Sequence, residues 1–134
     1  MNLADRFDHI VLTVKDIAVT VEFYERVLGF EKEVFQGSDG TVRYALRFGK
    51  SKINLQDKNT GVVNKAKAPT FGSADFCLIA SLPLDRVIAH LRGENIEIVG
   101  PVDRRGAMGP MRSVYCRDPD GNLIEISEYH QTAT

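Results

Sequence analysis

Three side chains that can bind a metal ion or move a proton interrupt apolar, strand-like segments of this sequence. They are His9, Asp75 and Glu125. Because side chains alternate between the two faces of a strand, Glu125 points away from the core that its neighbours Ile124 and Ile126 would fill. A mixed set of imidazole and carboxylate donors suits Fe(II), Mn, Ni, Co or Zn, and the pattern does not distinguish among these metals. The sequence therefore predicts a divalent metal ion as cofactor.

Two amide side chains stand at the corresponding place in the first half of the chain. Asn54 interrupts an apolar strand as Glu125 does, and Gln56 follows it on the same face. Aligning the two halves on this feature also aligns His9 with Asp75. The sequence leaves open which of the two amides would supply a ligand. The predicted metal ligands are His9, Asp75, Glu125 and Gln56.

Each of these residues also has an ordinary structural interpretation. A single histidine on a strand is more often hydrogen-bonded or solvated than bound to a metal. Asp75 would then cap a turn or pair with an arginine. Glu125 would form a salt bridge with Arg43 or Arg47 across the sheet, and the site would be an ion-pair network without metal.

Cationic and hydroxyl side chains on the same predicted strands indicate an anionic substrate. If Arg43 and Arg47 face inward, they would bind a carboxylate, a thiolate adduct or a phosphonate. Tyr115 shares a face with Ser113 and can donate to an oxyanion, although a tyrosine in a strand more often serves packing. The predicted substrate-binding residues are Arg43, Arg47, Asn54, Gln56, Ser113 and Tyr115.

The elements that must position these residues occur twice along the chain. Apolar periodicity predicts the order strand, helix, strand, strand, strand at residues 7–57 and again at residues 73–129. Residues 58–72 are polar, lack a period and are predicted to be a linker. Residues 100–110, with three glycines and two prolines, are predicted to be a long mobile loop after a short strand at 96–99. The fold class is therefore α+β, with two βαβββ modules forming a cupped mixed sheet around a shared cavity.

The composition is that of an ordinary globular domain. Of 134 residues, 43% are hydrophobic, 26% are charged and the net charge is −1, so neither nucleic acid nor an anionic membrane is an expected partner. Cys77 and Cys116 lie in apolar runs and are predicted to be buried thiols of a reducing compartment rather than a disulfide. We find no signal-like or membrane-spanning apolar run and expect a cytoplasmic protein.

Several motifs resemble those of the glyoxalase / bleomycin resistance / extradiol dioxygenase superfamily, also called vicinal oxygen chelate proteins. The motifs are DHIVLTV at 8–14, FYERVLGF at 23–30 and DPDGNLIE at 118–125. Residues 52–55 and 72–77 resemble small glyoxalase-domain proteins, including virulence-associated ones. The resemblance covers roughly residues 7–129. It implies two βαβββ modules, often within a homodimer, and a divalent metal held by the first and last strands of each module.

The resemblance also implies roles for particular residues. His9 matches the first-strand ligand of the family and Glu125 matches the last-strand ligand. Asp75 stands where many members have histidine. Asn54 stands where members similar to glyoxalase I have Glu or Gln, with Gln56 one step along the same face.

Three functions are compatible with this resemblance. The first, which we predict, is a metal-dependent lyase or isomerase of glyoxalase type that acts on a small, oxygen-chelating, anionic substrate, with Glu125 or Asp75 as general base. The second is a metal-free small-molecule or drug-binding protein of bleomycin-resistance type, which the residues at Asn54 and Asp75 favour. The third is an Fe(II) dioxygenase. It is the least expected of the three functions, because the predicted ligands include one histidine rather than two. Ser113 and Tyr115 fall where fosfomycin-modifying members contact their substrate.

Overall fold

The structure, a computed structural model, describes residues 1–62 and 65–130. The chain divides into two compact units, Met1–Gly72 and Ser73–Thr134. Each unit contains a four-stranded mixed sheet and a helix in the predicted order. The α+β fold class with its βαβββ repeat is therefore confirmed.

The first unit is built on a sheet in which the first and last strands lie side by side. The strand order is β1-β4-β3-β2, with β1 parallel to β4 and the other pairs antiparallel. The predicted linker, residues 58–72, follows β4 and includes residues 63 and 64, which lie outside the described part of the chain. The elements are β1 (His9–Thr13), α1 (Ile17–Leu28), β2 (Glu31–Gln36), β3 (Val42–Phe48) and β4 (Ser51–Gln56).

Helix α1 begins and ends where the sequence predicts. The side chain of Asp16 accepts the backbone N–H of Val19 at 3.1 Å, which satisfies one of the free donors of the first turn. Gly29 has a φ of 70° and closes the helix in the left-handed conformation that glycine adopts without strain. Tyr24 and Val27 are buried where the helix packs on β2 and β3. The helix therefore covers one face of its sheet.

The second unit repeats this plan. Its strand order is β5-β8-β7-β6, with β5 parallel to β8. Leu84 and Leu91 of its helix are buried, as are Val114 and Ile124 of its sheet. No helix in the described residues is long and apolar enough to cross a membrane. The elements are β5 (Asp75–Ile79), α2 (Leu84–Gly93), β6 (Val99–Gly106), β7 (Gly109–Arg117) and β8 (Leu123–Tyr129).

The segment at 100–110 forms a β-hairpin, so the prediction of a mobile loop is wrong. Strand β6 pairs antiparallel with β7, with an irregular register between Val99 and Val102, and it replaces the short strand predicted at 96–99. Because β6 lies at the edge of its sheet, a proline there need not interrupt the ladder of hydrogen bonds. Gly109, at a φ of 128°, serves the tight turn between the two strands.

The two cysteines differ in burial. Both are free, and Cys116 is buried as predicted, but Cys77 is exposed. Strand β5 lies at an edge of its sheet, and Cys77 projects from the face opposite to Phe76 and Leu78. The prediction that Cys77 is buried is therefore wrong, because its apolar neighbours in sequence lie on the other face of the strand.

The carboxylate of Asp118 holds the turn between β7 and β8. Its Oδ1 accepts the backbone N–H groups of Asp120 at 2.9 Å and of Asn122 at 3.0 Å, and its Oδ2 accepts the side-chain amide of Asn122 at 2.8 Å. The Oδ1 of Asn122 in turn accepts the N–H of Ala74 at 2.9 Å. Asp118 and Asn122 therefore tie the turn to the residue before β5, and so help to set the register of β8.

We expect Asn122→Ala to lower the free energy of unfolding by about 1–3 kcal/mol, because it leaves buried hydrogen-bonding groups without partners. Urea denaturation measures this change. Asn59→Ala is the matched control, since Asn59 is exposed and surface substitutions usually change stability by less than about 0.5 kcal/mol. Equal effects of the two substitutions would contradict this account of the turn.

Candidate functional site

The parallel strand pairs place the predicted site residues at equivalent positions in the two units. In the pairing of β1 with β4, Asn54 lies opposite the residue two places after His9. In the pairing of β5 with β8, Glu125 lies opposite the residue two places after Asp75. Asn54 is therefore the counterpart of Glu125, and His9 is the counterpart of Asp75, as the alignment of the two halves predicts.

Gln56 lies further from His9 on the same face of the first sheet. It pairs with Thr13, four residues along β1 from His9, which is about 13 Å at the rise of a strand. Its amide nitrogen donates to Thr13 Oγ1 at 2.9 Å. A cavity of about 190 Å³ adjoins this pair and is lined in part by Lys58 and Lys65. Between the two amides, Asn54 is the one close in register to His9.

His9 is held through one of its two ring nitrogens. Nδ1 lies 2.8 Å from Oδ2 of Asp8, and this hydrogen bond lowers the pKa of the Asp8 carboxyl. With its proton on Nδ1, the ring keeps a free lone pair on Nε2. Histidine ligands in metal sites are commonly oriented by a carboxylate in this way. The pair can therefore present a nitrogen ligand.

Two polar atoms on the same face of the first sheet are buried without hydrogen-bond partners among the described residues. They are Oδ1 of Asn54 and Nε of Arg43. Asn54 as a whole is only 7% exposed. An orphaned buried acceptor costs roughly 1–3 kcal/mol. A ligand that brings a donor or a cation to Asn54 would remove this cost.

The cations of this face differ in how far they are neutralised. Arg47 donates to Glu33 at 3.1 Å and so has a carboxylate partner within its own sheet. Lys52 lies 3.8 Å from the same Glu33 carboxylate and 4.0 Å from the ring centre of Phe35. Arg43 makes no salt bridge among the described residues. Arg43 is therefore the cation most available to an anionic ligand.

In the second unit, Glu125 is held by two buried serine hydroxyls. Its Oε2 accepts Ser113 Oγ at 2.7 Å and Ser127 Oγ at 3.1 Å, and the two hydroxyl oxygens lie 2.6 Å apart. Both serines have no exposed surface. No described residue donates to the other carboxylate oxygen, Oε1. The arrangement fixes the carboxylate and leaves one oxygen for a ligand.

The Cys77 thiol joins this cluster through Ser127. Its Sγ lies 3.2 Å from Ser127 Oγ and 3.8 Å from the carbonyl of Leu78. Although Cys77 as a residue is exposed, partial burial of its thiol raises the pKa of Cys77, the Ser127 hydrogen bond lowers it and the nearby Glu125 charge raises it, with a net upward shift. The thiol therefore keeps its proton near neutral pH.

Tyr115 lies directly across from Glu125 on the neighbouring strand. Its hydroxyl oxygen accepts the Nε–H of Arg104 at 2.9 Å, and the guanidinium carbon lies 5.5 Å from the ring centre. Because Arg104 fills an acceptor position of the hydroxyl, the tyrosine proton remains free to point toward a ligand. Tyr115 is thus oriented as a donor.

Asp75 begins β5 and is exposed. No described residue forms a salt bridge or hydrogen bond with its carboxylate. In residues 1–62 and 65–130, no three His, Cys, Asp or Glu side chains form a group that could hold a metal ion. A metal would therefore have to draw on fewer of these side chains, together with an amide or the substrate.

Ser127 and Arg104 are among the supporting residues of the site that were not predicted from the sequence. Ser127 follows Glu125 by two residues, so strand alternation places it on the same face, and that signal was available. Arg104 lies in the segment predicted as a loop, and its contact with Tyr115 depends on the hairpin register. The alternation of the strand is therefore enough to predict that Ser127 shares a face with Glu125, whereas the contact of Arg104 with Tyr115 can be recognised only once the fold is known.

Comparison with known proteins identifies the family. The model of the Glyoxalase/Bleomycin resistance protein/Dioxygenase superfamily matches residues 6–126. The chain therefore belongs to this superfamily.

The similar proteins include close relatives. Virulence protein STM3117 of Salmonella typhimurium is 51% identical over 128 residues, which are 95% of this chain and 86% of that protein. Its crystal structure has a TM-score of 0.87 and covers 96% of this chain and 100% of the other. Glyoxalase domain-containing protein RDO1 of Mycosarcoma maydis is 44% identical over 91% of this chain and 67% of its own length. An integron cassette protein from the mobile metagenome of V. cholerae has a TM-score of 0.89 at 44% identity, covering 97% and 99% of the two chains.

We expect Asn54→Leu to raise the free energy of unfolding by about 1 kcal/mol or more, because it replaces an orphaned buried acceptor by an apolar group of similar size. Urea denaturation of the ligand-free protein measures the effect. Asn122→Leu is the control and should destabilise, since its amide is fully hydrogen-bonded. If Asn54→Leu destabilises the protein as much as Asn122→Leu, Asn54 is not an unsatisfied group held for a ligand.

Proposed function

We propose that this chain is a metal-dependent lyase or isomerase of glyoxalase type, acting on a small anionic substrate that offers two neighbouring oxygen atoms. Membership of the superfamily supplies the class of chemistry. The observation that carries the proposal is that His9 and Glu125 are each held through one atom while a second, ligand-capable atom stays free. Asn54 adds a buried oxygen that has no partner.

These residues fit a divalent metal by the nature of their donor atoms. The candidate ligand atoms are Nε2 of His9 and Oδ1 of Asn54 in the first unit and Oε1 of Glu125 in the second, and nitrogen and oxygen donors of these kinds suit Zn, Ni, Mn, Co or Fe(II). When bound, such a metal would act as a Lewis acid toward the two substrate oxygens. Gln56 is a further candidate ligand, but its distance in register from His9 favours a role at the substrate.

The remaining polar residues of the two faces would handle the substrate itself. Arg43, which has no salt bridge among the described residues, would bind the anionic group. Asp75 would act as general base, because Glu125 is fixed by hydroxyls whereas the Asp75 carboxylate has no described partner. Tyr115, oriented by Arg104, would donate to a substrate oxygen that gains charge.

The proposal includes a homodimer acting in the cytoplasm. Val11, Ile79 and Val99 are exposed apolar residues on the strand faces that carry the polar candidates, and a second copy of the chain would cover such residues. The two free thiols support a reducing compartment.

A metal-free binding protein is the second candidate. It is favoured by the finding that, within the described residues, no three His, Cys, Asp or Glu side chains gather into a metal site. Asn54 and Arg43 would then meet polar groups of a small ligand directly. Removal of His9 and Glu125 would leave ligand affinity unchanged in that case.

We expect the purified protein, stripped of metal and titrated with Zn²⁺ or Co²⁺, to bind the divalent ion at its site. The substitutions His9→Ala and Glu125→Ala should each weaken the affinity for this ion by more than about tenfold. Isothermal titration calorimetry, with elemental analysis of the loaded protein, measures both quantities.

His90→Ala and Glu97→Ala are the matched controls, since both residues are exposed, and they should leave the metal affinity unchanged. Wild-type protein that binds no divalent ion, or His9→Ala and Glu125→Ala variants that bind as tightly as wild type, would refute the metal-dependent function and support the binding protein.

A further inference from the structure

We infer that Ser113 and Ser127 are positioning residues that hold Glu125 through Oε2 and so present Oε1 as its single ligand atom. The inference rests on the proposed function, because it assigns the serines a purpose at that site. It concerns two residues that bear no charge.

The hydrogen atoms of the cluster can be counted. Ser113, Ser127 and Cys77 each bring one, and together they face four contacts between 2.6 and 3.2 Å. The two shortest contacts join Ser113 to Glu125 and Ser127 to Ser113. A one-way chain fills three of the four contacts: Cys77 donates to Ser127, Ser127 to Ser113 and Ser113 to the carboxylate, so that Ser127 supports Oε2 through Ser113.

The direction of this chain matters for Glu125. A carboxylate is an acceptor only, so it can end the chain, whereas a carboxylic acid proton on Oε2 would compete with the hydroxyls for the same space. The chain therefore ends on Oε2, where the Ser113 hydroxyl donates at 2.7 Å. The free oxygen Oε1 is left for an electropositive ligand.

Burial gives the serines the stiffness that positioning needs. Neither serine exposes any surface, so neither can exchange its partner for water at low cost. Both lie on strands paired in register, Ser113 opposite Ser127, with Glu125 two residues before Ser127. The backbone ladder thus fixes the hydroxyls before any ligand arrives.

The first unit lacks an equivalent support. There the counterpart of Glu125 is Asn54, whose Oδ1 has no hydrogen-bond partner among the described residues. The two last-strand candidates therefore differ: one is held by hydroxyls through one oxygen, and the other is left unsatisfied. This contrast indicates that the serines serve Glu125 specifically rather than the fold in general.

Crystal structures of metal-free wild type and of the Ser113→Ala/Ser127→Ala variant provide the first test. We expect one Glu125 rotamer in wild type and a different or divided rotamer in the variant. Titration with Zn²⁺ provides the second, and we expect the double variant to bind about 10–100-fold more weakly. The single variant Ser127→Thr keeps the hydroxyl, and threonine suits a strand. It should therefore retain most of the wild-type affinity for Zn²⁺.

Thr20→Val is the control, because it removes another buried hydroxyl that lies outside the cluster and has no hydrogen-bond partner in the part of the chain that the structure describes. It should leave both the rotamer and the Zn²⁺ affinity unchanged, and thermal denaturation shows that each variant is folded. A double variant that keeps the wild-type Glu125 rotamer would overturn the inference, as would one that keeps the wild-type affinity in a protein that binds Zn²⁺. If wild type binds no metal, the proposed function fails, and the rotamers alone decide whether the serines position Glu125.

Discussion

The parallel pairing of the first and last strands within each unit is the constraint on which the candidate site depends. It places His9 near Asn54 in one unit and Asp75 near Glu125 in the other, with the same offset in both. A slip of one residue in either pair would turn every candidate to the opposite face. The turn built on Asp118 comes directly before β8 and so helps to set where that paired strand begins.

The two faces so created are chemically unlike. Among the described residues, the first retains buried atoms without hydrogen-bond partners on Arg43 and Asn54, and each such atom in a native structure requires an explanation. In the second, Ser113 and Ser127 lie within hydrogen-bond distance of one oxygen of Glu125, and the thiol of Cys77 contacts Ser127. Within the described residues, one unit therefore leaves buried polar atoms without partners, whereas the other fixes one oxygen of a carboxylate.

Much of the fold was predictable because its signals are local. The cap residues Asp16 and Gly29 mark the ends of α1, and strict alternation identifies the face on which Glu125 lies. The segment at 100–110 was mispredicted because glycine and proline mark loops in general, yet an edge strand tolerates both. Contacts between strands could not be predicted from the sequence. The hydrogen bond between Arg104 and Tyr115 depends on the register of two strands, and no local sequence pattern specifies that register.

Anomalous diffraction from crystals grown with Co²⁺ or Zn²⁺ tests the central claim most directly. We expect a metal peak bonded to Nε2 of His9 or to Oε1 of Glu125, with the Ser113 hydrogen bond to Oε2 intact. A peak that touches neither residue, a metal bound through Oε2 with that hydrogen bond broken, or no bound metal at all would contradict this expectation.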